Sequence, residues 1–165
     1  MPIRVTRHSL LLAVTPDQEQ FLLKAATAAR QSGHIFPEMA ACEAALESAF
    51  GKSGLAELDN NLFGMKQHKH PIFGTHMLPT KEFLGGSWVV VESAWVRYPD
   101  WASCFADRMA TLQRLASVYP HYKAALDAHD ESTYIKEVSK TWSTDPTRAT
   151  KVQQIYDEAA AHWNV

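Results

Sequence analysis

Residues Phe63 to Tyr98 break the periodicity of the rest of this chain, and the break sets its architecture. Gly64, Pro71, Gly74, Pro79, Gly85 and Gly86 punctuate the stretch, and Trp88-Val89-Val90-Val91 is aromatic and β-branched. This composition predicts a small hairpin or sheet built from about residues 75–84 and 87–97. The spacing on either side is helical. Thr15-Pro16-Asp17-Gln18 reads as a capping box with proline at the first helical position, and Phe21, Leu22, Ala25 and Ala29 then recur at helical spacing up to Gly33. A second helix starts near Phe36-Pro37-Glu38, carries Met39, Ala40, Ala44 and Leu46 on one face, and ends at Gly51. After the hairpin, Asp100 caps a helix with Trp101, Phe105, Met109, Leu112 and Leu115 on one stripe. Shorter helices are predicted around 119–128 and 131–140, and Thr144-Asp145-Pro146 opens a last one bearing Ala149, Val152, Ile155, Tyr156 and Ala159. Helices before and after one small β element give an α+β, mainly helical layout with the sheet as a side lobe.

The 165 residues contain no internal repeat, low-complexity tract or linker, so a single domain over 1–165 is expected, with its core at about 16–160. That length buries a core without help from metal or disulfide. A net charge of −2 gives no footprint for nucleic acid or an anionic membrane. The run Leu10 to Val14, after Arg4 and Arg7, is shorter than the roughly 7–15 residues of a signal-peptide core. No segment approaches the ~20 apolar residues of a membrane span. Membrane insertion is therefore not expected, and there is no clear signal peptide. Cys42 and Cys104 fall on apolar faces of predicted helices and read as buried free thiols, with one disulfide as the alternative.

Two motifs carry the chemistry. Ala45-Leu46-Glu47-Ser48-Ala49-Phe50-Gly51-Lys52-Ser53 takes a carboxylate to the last turn of a helix and stops at glycine. Asn60-Asn61-Leu62-Phe63-Gly64-Met65-Lys66 follows shortly after. Together they resemble the signature of the family 73 glycoside hydrolases, glucosaminidases that cut peptidoglycan, and the resemblance extends over about Pro16 to Ala159. It implies a lysozyme-like fold, in which a helical lobe and a small β-hairpin lobe flank a cleft. It also implies an endo-β-N-acetylglucosaminidase that needs no cofactor or metal and works on glycan strands as a monomer, in the periplasm or outside the cell. Without a clear leader in these residues, the expected routes are release of the phage type, export by dedicated machinery, or a leader removed from the chain.

Glycosidic cleavage needs one carboxylic acid to protonate the leaving oxygen, and burial against aromatic groups keeps such an acid neutral. Glu47 fits, with Phe50 three residues on and Phe63 available from the Asn-Asn-Leu-Phe-Gly turn. The resemblance places the catalytic acid there. A second carboxylate is expected opposite it as base or nucleophile. Thr80-Lys81-Glu82-Phe83 matches the family's β-lobe motif, which assigns that role to Glu82, with Glu92 on the next strand as the alternative. Glu43 lies one turn before Glu47, where the family usually has glutamine. Like charge would help keep Glu47 protonated if both faced one pocket, and otherwise Glu43 is a solvated residue. Asn60 and Asn61 are candidates for sugar hydroxyls or for turn chemistry, and Phe63, Trp88, Trp95 and Tyr98 for stacking on sugar faces. In Lys140-Thr141-Trp142-Ser143-Thr144-Asp145-Pro146 the family's cleft tyrosine is Trp142, which stacks but has no hydroxyl. A second family tyrosine is Arg148. His68 and His70, with His76 nearby, read as loop histidines, since no metal-binding spacing accompanies them. A muramidase or lytic transglycosylase on the same fold, and a degenerate module that binds wall glycan without cutting it, are the competing readings.

Overall fold

The structure, a computed structural model, describes residues 14–68 and 72–159. Most of the Arg4–Val14 stretch, His70 and the last residues of the chain lie outside them. Seven helices and one hairpin occupy the described residues in the order α1 (Pro16–Gln31), α2 (Pro37–Ser48), α3 (Gly54–Asp59), β1 (Thr75–Leu84), β2 (Ser87–Val96), α4 (Trp101–Leu115), α5 (Pro120–Leu126), α6 (Glu131–Trp142) and α7 (Arg148–Ala159). The α+β reading and the hairpin limits agree with this order.

The capping box at α1 is present in both directions. Thr15 Oγ1 accepts from the Gln18 amide at 3.2 Å, and Gln18 Oε1 accepts from the Thr15 amide at 3.0 Å. Helix α2 is the central element. Met39 through Ala45 are buried on every side of it, not along one face as the spacing predicts. The run of alanines makes this possible, because small side chains let α1 and α7 approach the backbone closely. Helix α3 was not predicted. Six residues between a glycine turn and Asn60 carry no period to read, and its evidence is local: Ser53 Oγ accepts from the Ala56 amide at its start. The last helix begins at Arg148, two residues after Pro146, because Asp145 first turns the chain by accepting from the Thr147 amide at 2.8 Å.

The strands pair antiparallel with Thr75 opposite Val96 and Leu84 opposite Ser87. Gly85 and Gly86 connect them with φ of 58° and 85°, the left-handed geometry that a two-residue hairpin turn demands. The base of the hairpin is tied to the helical body. The Val96 amide donates to the Met65 carbonyl at 3.0 Å and the Tyr98 amide to the Asp59 carbonyl at 2.8 Å. One continuous core runs through all seven helices and the end of β2.

His34, at the α1–α2 corner, is buried with Nδ1 on the Ile35 carbonyl at 2.6 Å, and its Nε2 has no partner among the described residues. Burial first, then the Arg108 charge, lowers its pKa from 6.5 to about 4. The neutral ring is therefore the folded form. Its contribution to stability is complete above pH 6.5 and is lost as pH falls toward 4, about 3 kcal/mol in all. Urea unfolding followed across that range should show the decline in wild type and a clearly flatter profile in His34→Leu. Equal slopes would remove His34 from the account.

Candidate active site

Much of the Glu-Ser motif serves the geometry of a helix end. Ser48 Oγ donates to the Ala44 carbonyl at 2.6 Å and accepts from the Gly51 amide at 2.8 Å. Ala49, Phe50 and Gly51 then take positive φ values of 51°, 55° and 80°. Gly51 is required there for a second reason, since a Cβ would stand 3.0 Å from the Phe21 ring. Ser53 caps α3. Glu47 serves none of this: its side chain is 27% exposed and lines a cleft of about 430 Å³.

The Asn60–Lys66 turn forms one wall of that cleft. Asn61 is buried and fully engaged: its Nδ2 donates to the carbonyls of Met65 (2.9 Å) and Val96 (3.0 Å), and its Oδ1 accepts from the Met65 amide at 2.9 Å. It pins the turn to the hairpin and so presents Phe63 and Lys66 to the cleft. Phe63 and Trp142 stand edge to face, their centroids 6.1 Å apart. Tyr122, Thr111 and Arg114 line the cleft from α5 and α4.

Beneath the cleft lies a charge network that the sequence reading missed. Glu43 is fully buried and accepts four hydrogen bonds: from Arg108 Nη1 (3.0 Å) and Nη2 (2.7 Å), from Arg148 Nη2 (2.8 Å) and from the Tyr134 hydroxyl (2.6 Å). Both expectations for Glu43 are corrected. It is not solvated, and its charge is neutralised by two guanidinium groups and so cannot press on Glu47. Burial alone would raise its pKa, but Arg108 and then Arg148 outweigh it and hold the carboxyl down at about 2. The same arginines carry the network outward. The Arg108 guanidinium lies 4.5 Å from the Phe63 ring centre and 4.2 Å from that of Trp142, holding both aromatic walls. Arg148, only 1% exposed, donates its Nε to Glu47 Oε1 at 2.9 Å and its Nη1 to Ser139 Oγ at 2.8 Å. The residue standing in place of a family tyrosine is thus the direct partner of Glu47. One signal pointed here: a glutamate among alanines on a helix this apolar needs a buried cation.

The structure brings Glu47, Phe63 and Trp142 together. Glu82 meets the cleft through Lys66, whose Nζ lies 3.0 Å from Glu82 Oε1 while Lys66 lines the cleft and sits 5.1 Å from the Trp95 ring centre. The register separates Glu82 from its alternative. Glu82 faces Val89 and Glu92 faces Pro79, on opposite sides of the hairpin, so Glu92 is on the side away from Lys66. The other candidates lie elsewhere. Asn60 ends α3 in the left-handed region, donates its Nδ2 to the Tyr98 carbonyl and lines a separate cleft beside Trp101. Tyr98 is a core residue, packed on Phe73 and donating its hydroxyl to Asp107. Trp88 is 70% exposed near the hairpin tip, on the outer face against Phe83. His68 lines the cleft and His76 pairs with buried Asp59 at 2.9 Å. Cys42 and Cys104 are free and buried. Burial raises both thiols, Cys104 to about 12, and Cys104 Sγ accepts from the Leu62 amide.

A helical lobe with a side hairpin, and a half-open carboxyl group beside aromatic walls, describe a glycoside hydrolase of lysozyme-like architecture. Residues 23–161 match the glucosaminidase family, described as mannosyl-glycoprotein endo-beta-N-acetylglucosaminidase, and the chain belongs to that family. It is 26% identical over 164 residues to an autolysin of Enterococcus faecalis, covering 92% of this chain and 22% of that protein. Among solved structures it superposes on the catalytic domain of the autolysin Auto from Listeria monocytogenes with a TM-score of 0.77 at 22% identity, over 97% of each chain. With a C-terminally truncated glycoside hydrolase domain of Salmonella typhimurium FlgJ the TM-score is 0.69 at 22% identity, over 87% of this chain and 98% of that one. The chain spans less than a quarter of the length of the curated relatives it matches.

Proposed function

We propose that this domain hydrolyses N-acetylglucosaminyl β-1,4 linkages in the glycan strands of peptidoglycan, with Glu47 as proton donor and Glu82 as base or nucleophile. The observation that carries the reading is the placement of Glu47, the carboxyl group of the motif, on a cleft lined by Phe63, Tyr122 and Trp142. The names of the relatives, autolysins among them, favour wall glycan as the substrate. As proton donor, Glu47 passes a proton to the glycosidic oxygen from Oε2, the oxygen that Arg148 does not occupy, as the C1–O bond breaks. Trp142, half-buried at the cleft, offers the aromatic surface against which a sugar ring packs, and Phe63, only 3% exposed, backs it edge to face. Glu82 then deprotonates water or adds to C1, and Lys66, which lines the cleft, pairs with its carboxylate. The domain acts as a monomer, at the wall outside the cytoplasmic membrane, without cofactor. Among the described residues no helix is long and apolar enough to cross a membrane.

Digestion of purified sacculi, followed by borohydride reduction and mass spectrometry, tests the reading. Reduced N-acetylglucosamine ends are expected. Reduced N-acetylmuramic acid ends would make the enzyme a muramidase. Anhydro-muramic ends, formed as readily by Glu82→Gln, would make it a transglycosylase. Binding to sacculi with no release of ends would leave a glycan-binding module.

A further inference from the structure

We infer that Arg114 and Tyr122 form a carboxylate-binding wall of the Glu47 cleft, taking an acidic substituent of the glycan and not the sugar ring itself. The inference rests on the function proposed above and narrows its substrate. Arg114 lies in the last turn of α4, exposed, and lines the cleft together with Glu47. It has neither an ion-pair nor a hydrogen-bond partner among the described residues. The lysine at the opposite side is occupied, since Lys66 pairs with Glu82 at 3.0 Å. Tyr122 has its ring buried against Trp142 and lines the same cleft, and its hydroxyl makes no hydrogen bond among the described residues. Among the described residues Glu47 is the one carboxylate that lines the cleft directly, and Arg148 already holds it, while Glu82 is paired with Lys66.

The site therefore offers a fixed excess of positive charge and an unused hydroxyl donor, in a chain whose net charge is −2. N-acetylglucosamine is neutral and offers a guanidinium hydroxyl and carbonyl acceptors but no counter-charge. A carboxylate accepts both N–H groups of the guanidinium fork and the phenol hydroxyl as well. Peptidoglycan supplies that group from two sources. One is the lactyl carboxyl of a muramic sugar, free where no peptide is attached. The other is the set of carboxylates on the peptide stem.

The test measures co-sedimentation of Glu47→Gln protein, which leaves the polymer intact, with and without Arg114→Gln. Three polymers are used: native sacculi, sacculi whose carboxyls have been amidated with carbodiimide and ammonia, and glycan stripped of stems by an amidase. Arg114→Gln should weaken binding to native sacculi about three- to fivefold, as for a solvent-accessible charged pair. Amidation should weaken the parent by a similar factor and abolish the difference between the two proteins. An Arg114 effect that persists on stripped glycan identifies the lactyl carboxyl, and one that vanishes there identifies the stem. Unchanged binding of Arg114→Gln to native sacculi, or an equal loss on native and amidated sacculi, would overturn the inference. Failure of the hydrolase reading shows separately, as wild type that binds and releases no reducing ends.

Discussion

Glutamine in place of Glu47 is expected to lower the rate of reducing-end release from sacculi about 10³-fold, within the 10²–10⁴ that a positioned general acid contributes. The change is nearly isosteric. It keeps an oxygen for the Arg148 Nε at Oε1 and removes only the proton that the leaving oxygen needs. Binding to sacculi should stay within a few fold of wild type, since Phe63 and Trp142 are held by Arg108 and not by Glu47. A rate loss below tenfold would move the acid role elsewhere. A loss accompanied by unfolding would show that Glu47 acts chiefly through Arg148.

Glutamine in place of Glu43 should cost far more stability than its size suggests, about 3–5 kcal/mol. Glu43 is the hub of the buried network, and the resemblance to the family leads one to expect glutamine at this position. In this chain the amide would leave Arg108 fully buried without any carboxylate, and Arg148 with Glu47 alone. A buried guanidinium left unpaired is the costly outcome, whereas a wholly apolar replacement of such a cluster is often tolerated. For a domain of this length the loss corresponds to a fall in Tm of about 10 °C or more. Activity should fall with it even below the new Tm, because the same arginines hold Trp142, Phe63 and Glu47. A Tm within about 2 °C of wild type would mean that the network contributes little to stability.

The division between what was legible and what was not follows the range of the interactions involved. Capping at Thr15 and Asp100 and the Gly85-Gly86 turn are local, so their signals lie within a few residues and the element limits could be read. Glu47, Phe63 and Trp142 could be picked out as candidates because each sits in a motif that resembles the family's, and the three line one cleft. The network could not be picked out. Glu43 meets Arg108 across 65 positions of sequence and Arg148 across 105, and no local pattern reports such a pairing. The Asn60–Asn61 pair was open to two readings, sugar contact or turn chemistry, and both side-chain amides donate to backbone carbonyls that fix the turn. Trp88 and Tyr98 were chosen by residue type alone, and the strand register and the Asp107 hydrogen bond decide where they go.

If Glu47 supplies the proton to the leaving group, a change of leaving group reads that role directly. Wild type and Glu47→Gln are compared on the natural linkage and on the corresponding 2,4-dinitrophenyl glycoside, whose phenolate departs without protonation. The ~10³-fold gap on the natural linkage is expected to shrink to about tenfold or less on the activated glycoside. An undiminished gap on the activated substrate would contradict the acid role and leave Glu47 a different task in the cleft.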